Sequence, residues 1–360
     1  MAQIDAFFKL MHEQGASDLH LASAQQPILR IGGEMERIKY NEFTNDDLKS
    51  MLYEIAPEDK LKIFEETGDI DYAYEIPGLA RYRANYFQQI NGIAAVFREI
   101  PSKIQTCEDL GLPPVIKRLS TLPKGLVLVT GPTGSGKSTT LAAIIDEANR
   151  TRKDHILTIE DPIEFVHKSN RAIVNQREIG SHTKSFAAAL RGALREDPDI
   201  ILVGEMRDQE TISLAIEASA TGHLVFGTLH TSSAAKTVDR MIEVFPANQQ
   251  EQIRNTLSDG IRAVVAQTLF KRLSGMGRVA AVEIMIATPA VRNLIREGKT
   301  FQIPSAIQTG KKFGMQSLDD AIMGLMEKKI ISPDNAYAKA NDKARFLPFS
   351  KEAPADFTEV

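Results

Sequence analysis

Residues 125–139, Gly-Leu-Val-Leu-Val-Thr-Gly-Pro-Thr-Gly-Ser-Gly-Lys-Ser-Thr, constrain this chain more than any other stretch. The apolar, β-branched run from Leu126 to Val129 predicts a buried strand, and it breaks at Gly131. Helix-forming sequence resumes after Lys137, through Leu141, Ala142, Ala143, Ile144 and Ile145. Between them lies the complete G-x-x-x-x-G-K-[ST] pattern, with Gly131, Gly136, Lys137 and Ser138 in register. Gly131, Pro132, Thr133, Gly134, Ser135, Gly136, Lys137, Ser138 and Thr139 are therefore the candidate phosphate-binding residues. Glycines let backbone N–H groups turn toward phosphate oxygens, and the helix N-terminus adds the positive end of its dipole. Lys137 is placed to reach the β- and γ-phosphates of ATP, and the Ser138 hydroxyl to take one Mg²⁺ position. A glycine-rich turn matching by chance is expected in about 1% of chains this long.

A chain of 360 residues has room for two domains. Its single cysteine, Cys107, excludes an intramolecular disulfide and any multi-cysteine zinc site, and fits a reducing, cytoplasmic setting. No apolar run approaches the ~18 residues of a membrane helix. The opening segment places acids inside its apolar face, so it reads as a short amphipathic helix rather than a signal peptide. Charge is uneven: residues 1–100 hold 10 Lys and Arg against 17 Asp and Glu, while the remainder is mildly basic. Neither part has the basic excess of a nucleic-acid binder. The asymmetry suits two differently solvated surfaces, or an acidic domain docking on a neighbour's basic one.

The first hundred residues alternate between strand and helix patterns. Asp18 to Leu21 and Ile28 to Ile31 read as extended, and Gly32-Gly33 marks a turn before Met35 to Ile38. Thr44 caps a helix carrying Leu48, Met51, Leu52 and Ile55 on one face. Three more strands follow, Ile70 to Ile76, Arg81 to Gln88 and Ile93 to Ile100, joined at Pro77-Gly78 and Asn91-Gly92. Alternation puts Arg81, Arg83 and Asn85 on one face, with Arg98 on the next strand. Such a face is either simply solvated or presented to phosphates bound elsewhere, by the other domain or another subunit. The proline-bracketed stretch 101–114 reads as a link between a domain at 1–100 and one at 115–340. Residues 341–360 read as a loosely held tail.

Beyond the phosphate loop the chain keeps alternating strand and helix, the rhythm of a mostly parallel sheet. Ile156 to Ile159 is a strand followed by Glu160-Asp161-Pro162-Ile163-Glu164. Acids just past a parallel strand's C-terminal end sit where ligands bind, and one of them could polarise a water; solvated loop acids are the plain alternative. Ile200 to Val203, then Gly204-Glu205, repeats the arrangement as a Walker B-like strand, with Glu205 able to hold Mg²⁺ through water. A further strand lies between His223 and His230. Without a third ligand the two histidines do not make a metal site. His230, at the strand's end, is the candidate sensor of a terminal phosphate; His223 is a second candidate.

Taken together, these segments resemble the secretion-type ATPases with a RecA-like core, and within them the type IV pilus retraction ATPases (PilT-like). The resemblance runs over nearly the whole chain. Ser17 to His20 is similar to that family's opening strand, Gly131 to Thr139 to its Walker A, and Ile156 to His167 to its Asp box. Glu196 to Asp208 is similar to its Walker B region, and Thr221 to Thr231 to its His box. The resemblance implies an α/β fold, a RecA-like P-loop core with a smaller PAS-like α+β N-terminal domain. It implies Glu164 as general base and Glu205 as the Mg²⁺-associated acid. It further implies that Arg81, Arg83 and Arg98 reach nucleotide at a subunit interface in a homo-oligomer, a hexameric ring. An inner-membrane pilus platform protein is the implied partner, with the chain at the cytoplasmic face and no nucleic acid bound.

Assembly and type II secretion ATPases resemble the same core but usually add an N-terminal domain and a tetracysteine zinc module, which Cys107 alone cannot supply. Ala290, Val291, Arg292, Asn293, Leu294, Ile295, Arg296 and Glu297 resemble the retraction family's own motif, departing only at Val291 by one methylene. Pro289 is expected to start this helix, with Val291, Leu294 and Ile295 packed inward and Arg292, Arg296 and Glu297 free to contact a partner. Pilus retraction and twitching motility are thus the implied function. The alternatives are a pilus assembly or secretion ATPase, an accessory paralogue that binds ATP without hydrolysing it, and a nucleic-acid translocase.

Overall fold

The alternation in the first hundred residues produces a six-stranded antiparallel sheet in the computed structural model, which describes residues 2–100, 103–275 and 277–350. Helix α1 (Asp5–Glu13) precedes β1 (Asp18–Ala22), β2 (Ile28–Ile31) and β3 (Glu34–Arg37); α2 (Asn45–Tyr53) and α3 (Glu58–Thr67) lead into β4 (Asp69–Ile76), β5 (Ala80–Gln89) and β6 (Gly92–Ile100). The strand order is β3-β2-β1-β6-β5-β4. Along β5 the buried Ala80, Tyr82, Ala84 and Tyr86 alternate with the more open Arg81, Arg83 and Asn85, so one face is core and the other polar. Phe8 of α1 stacks on Tyr82 with ring centroids 4.3 Å apart and meets Phe97 edge-on at 4.9 Å. Thr44 caps α2 by accepting from the Asp47 N–H at 3.2 Å. Helix α3 has no counterpart in the sequence reading; Phe64 is its one buried side chain, which leaves no apolar stripe to read.

The larger unit begins with α4 (Pro114–Arg118), β7 (Gly125–Thr130), α5 (Lys137–Thr151), β8 (His155–Glu160) and β9 (Ile173–Glu178). It continues through α6 (Phe186–Ala193), β10 (Ile200–Val203), α7 (Gln209–Thr221), β11 (Leu224–Leu229), α8 (Ala234–Glu243), α9 (Ala247–Gly260), β12 (Ile261–Lys271) and β13 (Arg278–Ile286). Helices α10 (Pro289–Arg296), α11 (Ile303–Thr309), α12 (Leu318–Glu327), α13 (Pro333–Lys339) and α14 (Lys343–Phe346) follow. The sheet order is β13-β12-β7-β11-β10-β8-β9, with β12–β13 antiparallel and every other neighbouring pair parallel. Strands β7, β10 and β11 are buried along their whole length, as a sheet covered on both faces requires. Leu126 and Leu128 point into one core with Val225 and Val264, and Val127 and Val129 into the other with Phe226 and Val265.

The two compact units divide at Lys103/Ile104, except that Pro162–Val166 is grouped with the first. Most of the expected 101–114 link therefore belongs to the larger unit. Cys107 and Leu112 are buried in its core beside Ile116 and Leu119, with Leu110 partly buried against them. Burial pushes the Cys107 thiol up to about 11, which leaves it an inert core group. Residues 343–349, read from sequence as tail, are helical, and Phe346 is fully buried in a cluster with Ile322 and Tyr337. The rest of that expected tail, 351–360, lies outside the described residues, as do Pro101 and Ser102 of the link.

Candidate functional site

Parallel strands end on one edge, and in this sheet that edge collects the polar groups. The loop after β7 turns through left-handed glycines. At Gly131, φ is +143°, and a Cβ would stand 2.4 Å from the Gln267 carbonyl oxygen; at Gly136, φ is +88°, and a Cβ would stand 2.8 Å from Gln267 Nε2. No other residue fits either position. Lys137 opens α5 with its ammonium donating to the carbonyls of Gly131 at 3.0 Å and Pro132 at 3.1 Å, which holds the loop curled over its own lysine. Ser138 and Thr139 follow on the first turn of α5, where backbone N–H groups are free of intrahelical partners.

The neighbouring strand ends supply the acid and the histidine. Strand β11 lies between β7 and β10, so His230, one residue past its end, stands between the phosphate loop and Glu205, two residues past the end of β10. His230 Nε2 lies 2.7 Å from Glu205 Oε1, and Arg207 pairs with the same carboxylate oxygen. Partial burial pulls the Glu205 carboxyl upward, but the hydrogen bonds and charges of Arg207 and His230 outweigh it and hold the group below the ordinary carboxylate range. Glu205 is thus an anion at neutral pH. Thr228 Oγ1 donates to the Gly204 carbonyl at 2.5 Å, and Thr228 O accepts from the Met206 N–H at 3.0 Å, so β11 fixes the turn that carries Glu205. Glu160, at the end of β8, accepts from Thr158 Oγ1 at 2.6 Å and from Gln176 Nε2 at 3.2 Å.

The two histidines part company. His223 precedes β11 and binds the Ala218 carbonyl at 3.0 Å through Nδ1, closing the end of α7. The length of the strand separates it from His230 by roughly 20 Å, which makes it a structural group. Glu164 is half-buried in the segment 162–166, which is grouped with the N-terminal unit.

The arginines share the polar face of the N-terminal sheet as the spacing predicts. Arg83 pairs across the β5–β6 ladder with Arg98, and Arg81 lies two residues along β5. Arg98 donates to the buried Asp18 at 2.8 Å, and Arg83 to Asp71 at 3.3 Å. The helix at 290–297 needs correcting. Thr288 caps it, and Val291 and Ile295 are fully buried with Leu294 packed beside them, as expected. Ala290 and Asn293 are exposed. Arg296 and Glu297, however, are not free: Arg296 binds Asp259 at 2.9 Å, and Glu297 holds Lys299 at 2.7 Å and Asn293 at 2.8 Å. Arg292 alone among these keeps a buried Nε without a hydrogen-bond partner.

The sequence reading missed Gln267 on β12. Its Nε2 donates to the Ser135 carbonyl at 2.7 Å and its Oε1 accepts from Thr140 Oγ1 at 2.8 Å. A polar residue inside an otherwise apolar strand, Ala-Val-Val-Ala-Gln, is the one signal that marked it.

The family described as Type II/IV secretion system protein matches residues 2–298. The chain belongs to that family. It is 56% identical over 334 residues to the type IV pilus retraction ATPase PilT of Pseudomonas aeruginosa, covering 93% of this chain and 97% of that protein. A twitching motility protein of Neisseria gonorrhoeae is 52% identical over 316 residues, covering 88% and 84%. The crystal structure of the pilus retraction motor PilT with bound ADP superposes with a TM-score of 0.88 at 44% identity, covering 96% of this chain and 98% of that one. The fold is accordingly that of this family, an α/β chain with an N-terminal domain and a RecA-like ATPase core.

Proposed function

We propose that this chain is an ATP-hydrolysing motor that drives type IV pilus retraction. The observation that carries the reading is the sheet edge on which a complete phosphate loop stands beside an ionised Glu205 held by His230 at 2.7 Å. The 56% identity to a pilus retraction ATPase supports it. Backbone N–H groups of residues 131–139 and the Lys137 ammonium take the phosphates of ATP. The Ser138 hydroxyl and the Glu205 carboxylate are hard oxygen donors of the kind that suits Mg²⁺, and would hold it. Bound there, Mg²⁺ would neutralise charge on the β- and γ-phosphates. Glu164 serves as general base for the attacking water, and His230 answers to the γ-phosphate through its link to Glu205.

Six copies form a ring, and Arg81, Arg83 and Arg98 of one subunit close over the γ-phosphate held by its neighbour. Exposed ion pairs such as Arg83–Asp71 are weak, so exchanging Asp71 for phosphate costs little. The helix at 290–297 serves retraction rather than hydrolysis. The ring works at the cytoplasmic face of the inner membrane against the platform protein, peripheral to the membrane through that partner and without nucleic acid. Among the described residues no helix is long and apolar enough to cross a membrane.

The test is specific ATPase activity against protein concentration. Activity should rise with assembly, and a dilute monomer hydrolysing as fast as the oligomer would overturn the shared site. In cells, loss of the chain should leave pili present but unretracted; loss of all pili would point to assembly instead.

A further inference from the structure

Hairpin β12–β13 contributes nothing to the phosphate-binding pattern, yet it buries two polar side chains against the site. Gln267 is 3% exposed and Glu283 is 8% exposed. Gln267 pairs with Val282, and Ala266 with Glu283, so the two side chains leave opposite faces of the hairpin. On one face Gln267 reaches the phosphate loop. A carbonyl oxygen can only accept, so the amide nitrogen must face Ser135, and Thr140 Oγ1 satisfies the other end of the amide. On the opposite face Glu283 Oε1 accepts from the Ala234 N–H at 2.7 Å, at the first residue of α8. Only three residues separate Ala234 from His230. Within that segment Thr231 Oγ1 meets Thr237 Oγ1 at 2.7 Å, and Thr237 Oγ1 also binds the Ser233 carbonyl at 2.7 Å and lies 3.4 Å from Thr130 Oγ1 at the end of β7.

We propose that β12–β13 is the positioning element of the nucleotide site, Gln267 presetting the phosphate loop and Glu283 presetting the segment that carries His230. The proposal rests on the reading of the site as an ATPase and divides its work between two residues. A preset loop pays no ordering cost when phosphate arrives, so Gln267 governs affinity. A preset His230 keeps its bond to Glu205 in the geometry the reacting state needs, so Glu283 governs turnover. Neither residue touches substrate; both act through the groups they hold.

The experiment uses the full chain, titrated with a fluorescent ADP analogue and assayed for steady-state ATP hydrolysis. Gln267→Leu leaves the Ser135 carbonyl buried and unpaired, and should weaken ADP binding about tenfold or more while kcat at saturating ATP stays within about threefold. Glu283→Leu should lower kcat about tenfold with ADP affinity within about twofold. Glu283→Gln, whose amide oxygen can still accept from Ala234, should recover most of that turnover. Should a leucine variant fail to fold, Gln267→Glu keeps the acceptor for Thr140 but loses the donor to Ser135. Ala234→Pro deletes the N–H at a helix position where proline fits, after an extended Ser233. Folded variants that match the wild type, or that lower affinity and turnover in the same proportion, overturn the proposal. A wild-type chain that binds ADP without hydrolysing ATP overturns the motor reading instead, and the ADP titration still decides the Gln267 half.

Discussion

The two sheets of this chain expose function in different ways. In the N-terminal sheet the strands are antiparallel and one face is open, so half the residues of β5 are available for chemistry along its whole length. In the core, β7, β10 and β11 are buried from end to end, and chemistry is confined to the residues just past their last hydrogen bonds. The first sheet offers a broad array of arginines, each already holding a carboxylate or lying beside one that does. The second offers a short row of loops, each fixed by its neighbour. An array of the first kind suits a surface that meets something outside its own unit; a row of the second kind suits a ligand that must be held.

The sharpest way to break this contrast is to remove the array. Arg83→Ala and Arg98→Ala should each lower kcat by about 10³-fold or more if the face completes a site on a neighbouring subunit. Mixing Arg83→Ala chains with Lys137→Ala chains should then restore part of the activity, since some interfaces regain both halves. Failure of every mixture to recover above the separate variants would confine the arginines to a role within their own chain.

Next in size is the row. Glu205→Ala should cut turnover by about 10²–10³-fold while leaving ADP binding largely intact, because on the proposed reading the loop and Lys137, rather than the carboxylate, hold the phosphates. Unchanged hydrolysis would remove Glu205 from the site.

How visible these features are before folding follows from the same contrast. The alternation of β5 needs only period two, so Arg81, Arg83 and Asn85 fall on one face from sequence alone. The acids and histidine after β8, β10 and β11 are legible because each follows a short, largely apolar strand, unbroken at Ile200 to Val203 and interrupted only by Thr158 in β8 and by Gly227 and Thr228 in β11. What is not legible is whatever depends on partners far along the chain. Gln267 bonds to Ser135 across 132 residues, and Glu283 to Ala234 across 49. Arg296 reads as a free charge until α9 brings Asp259 beside it. The placement of the 104–114 segment was likewise hidden, since its few apolar residues show no period and gain meaning only from the core that receives them. The roles proposed for Glu164 and the arginines rest on resemblance, because local chemistry leaves them open.

A smaller effect separates the units by acid sensitivity. His167, in the core, is 7% exposed with no partner for Nδ1, and burial lowers its pKa to about 4 against an unfolded value near 6.5. The unfolded chain therefore takes up a proton first as pH falls. Stability is complete above about pH 6.5 and declines toward pH 4, by roughly 3 kcal/mol over the interval. His20, on the open N-terminal face, is shifted the same way by burial and by Arg30 and Arg98, with Asp18 opposing. Melting temperatures from pH 7 to pH 4 should fall less steeply in His167→Phe than in the wild type, and His20→Gln should change the slope less. Equal slopes for all three chains would show that acid lability has another origin.

The smallest expected difference lies in two helix caps, one from each unit. Thr44 accepts from the Asp47 N–H at 3.2 Å, and its own hydroxyl donates to the Asp47 carboxylate at 2.6 Å, so two groups are satisfied at once. Thr288 accepts from the Val291 N–H at 3.4 Å and carries no such return bond among the described residues. Thr44→Ala should cost about 1 kcal/mol and Thr288→Ala about half that, read from denaturant midpoints at constant slope. Helix α10 should tolerate the loss because its hold on the core comes from Val291 and Ile295, both fully buried, and not from its first turn. A larger loss at Thr288 would mean that the start of α10 is set by the cap rather than by packing. Its arginines would then be placed by a single hydroxyl, and α10 would be as sensitive to its first turn as the loop after β7 is to its glycines.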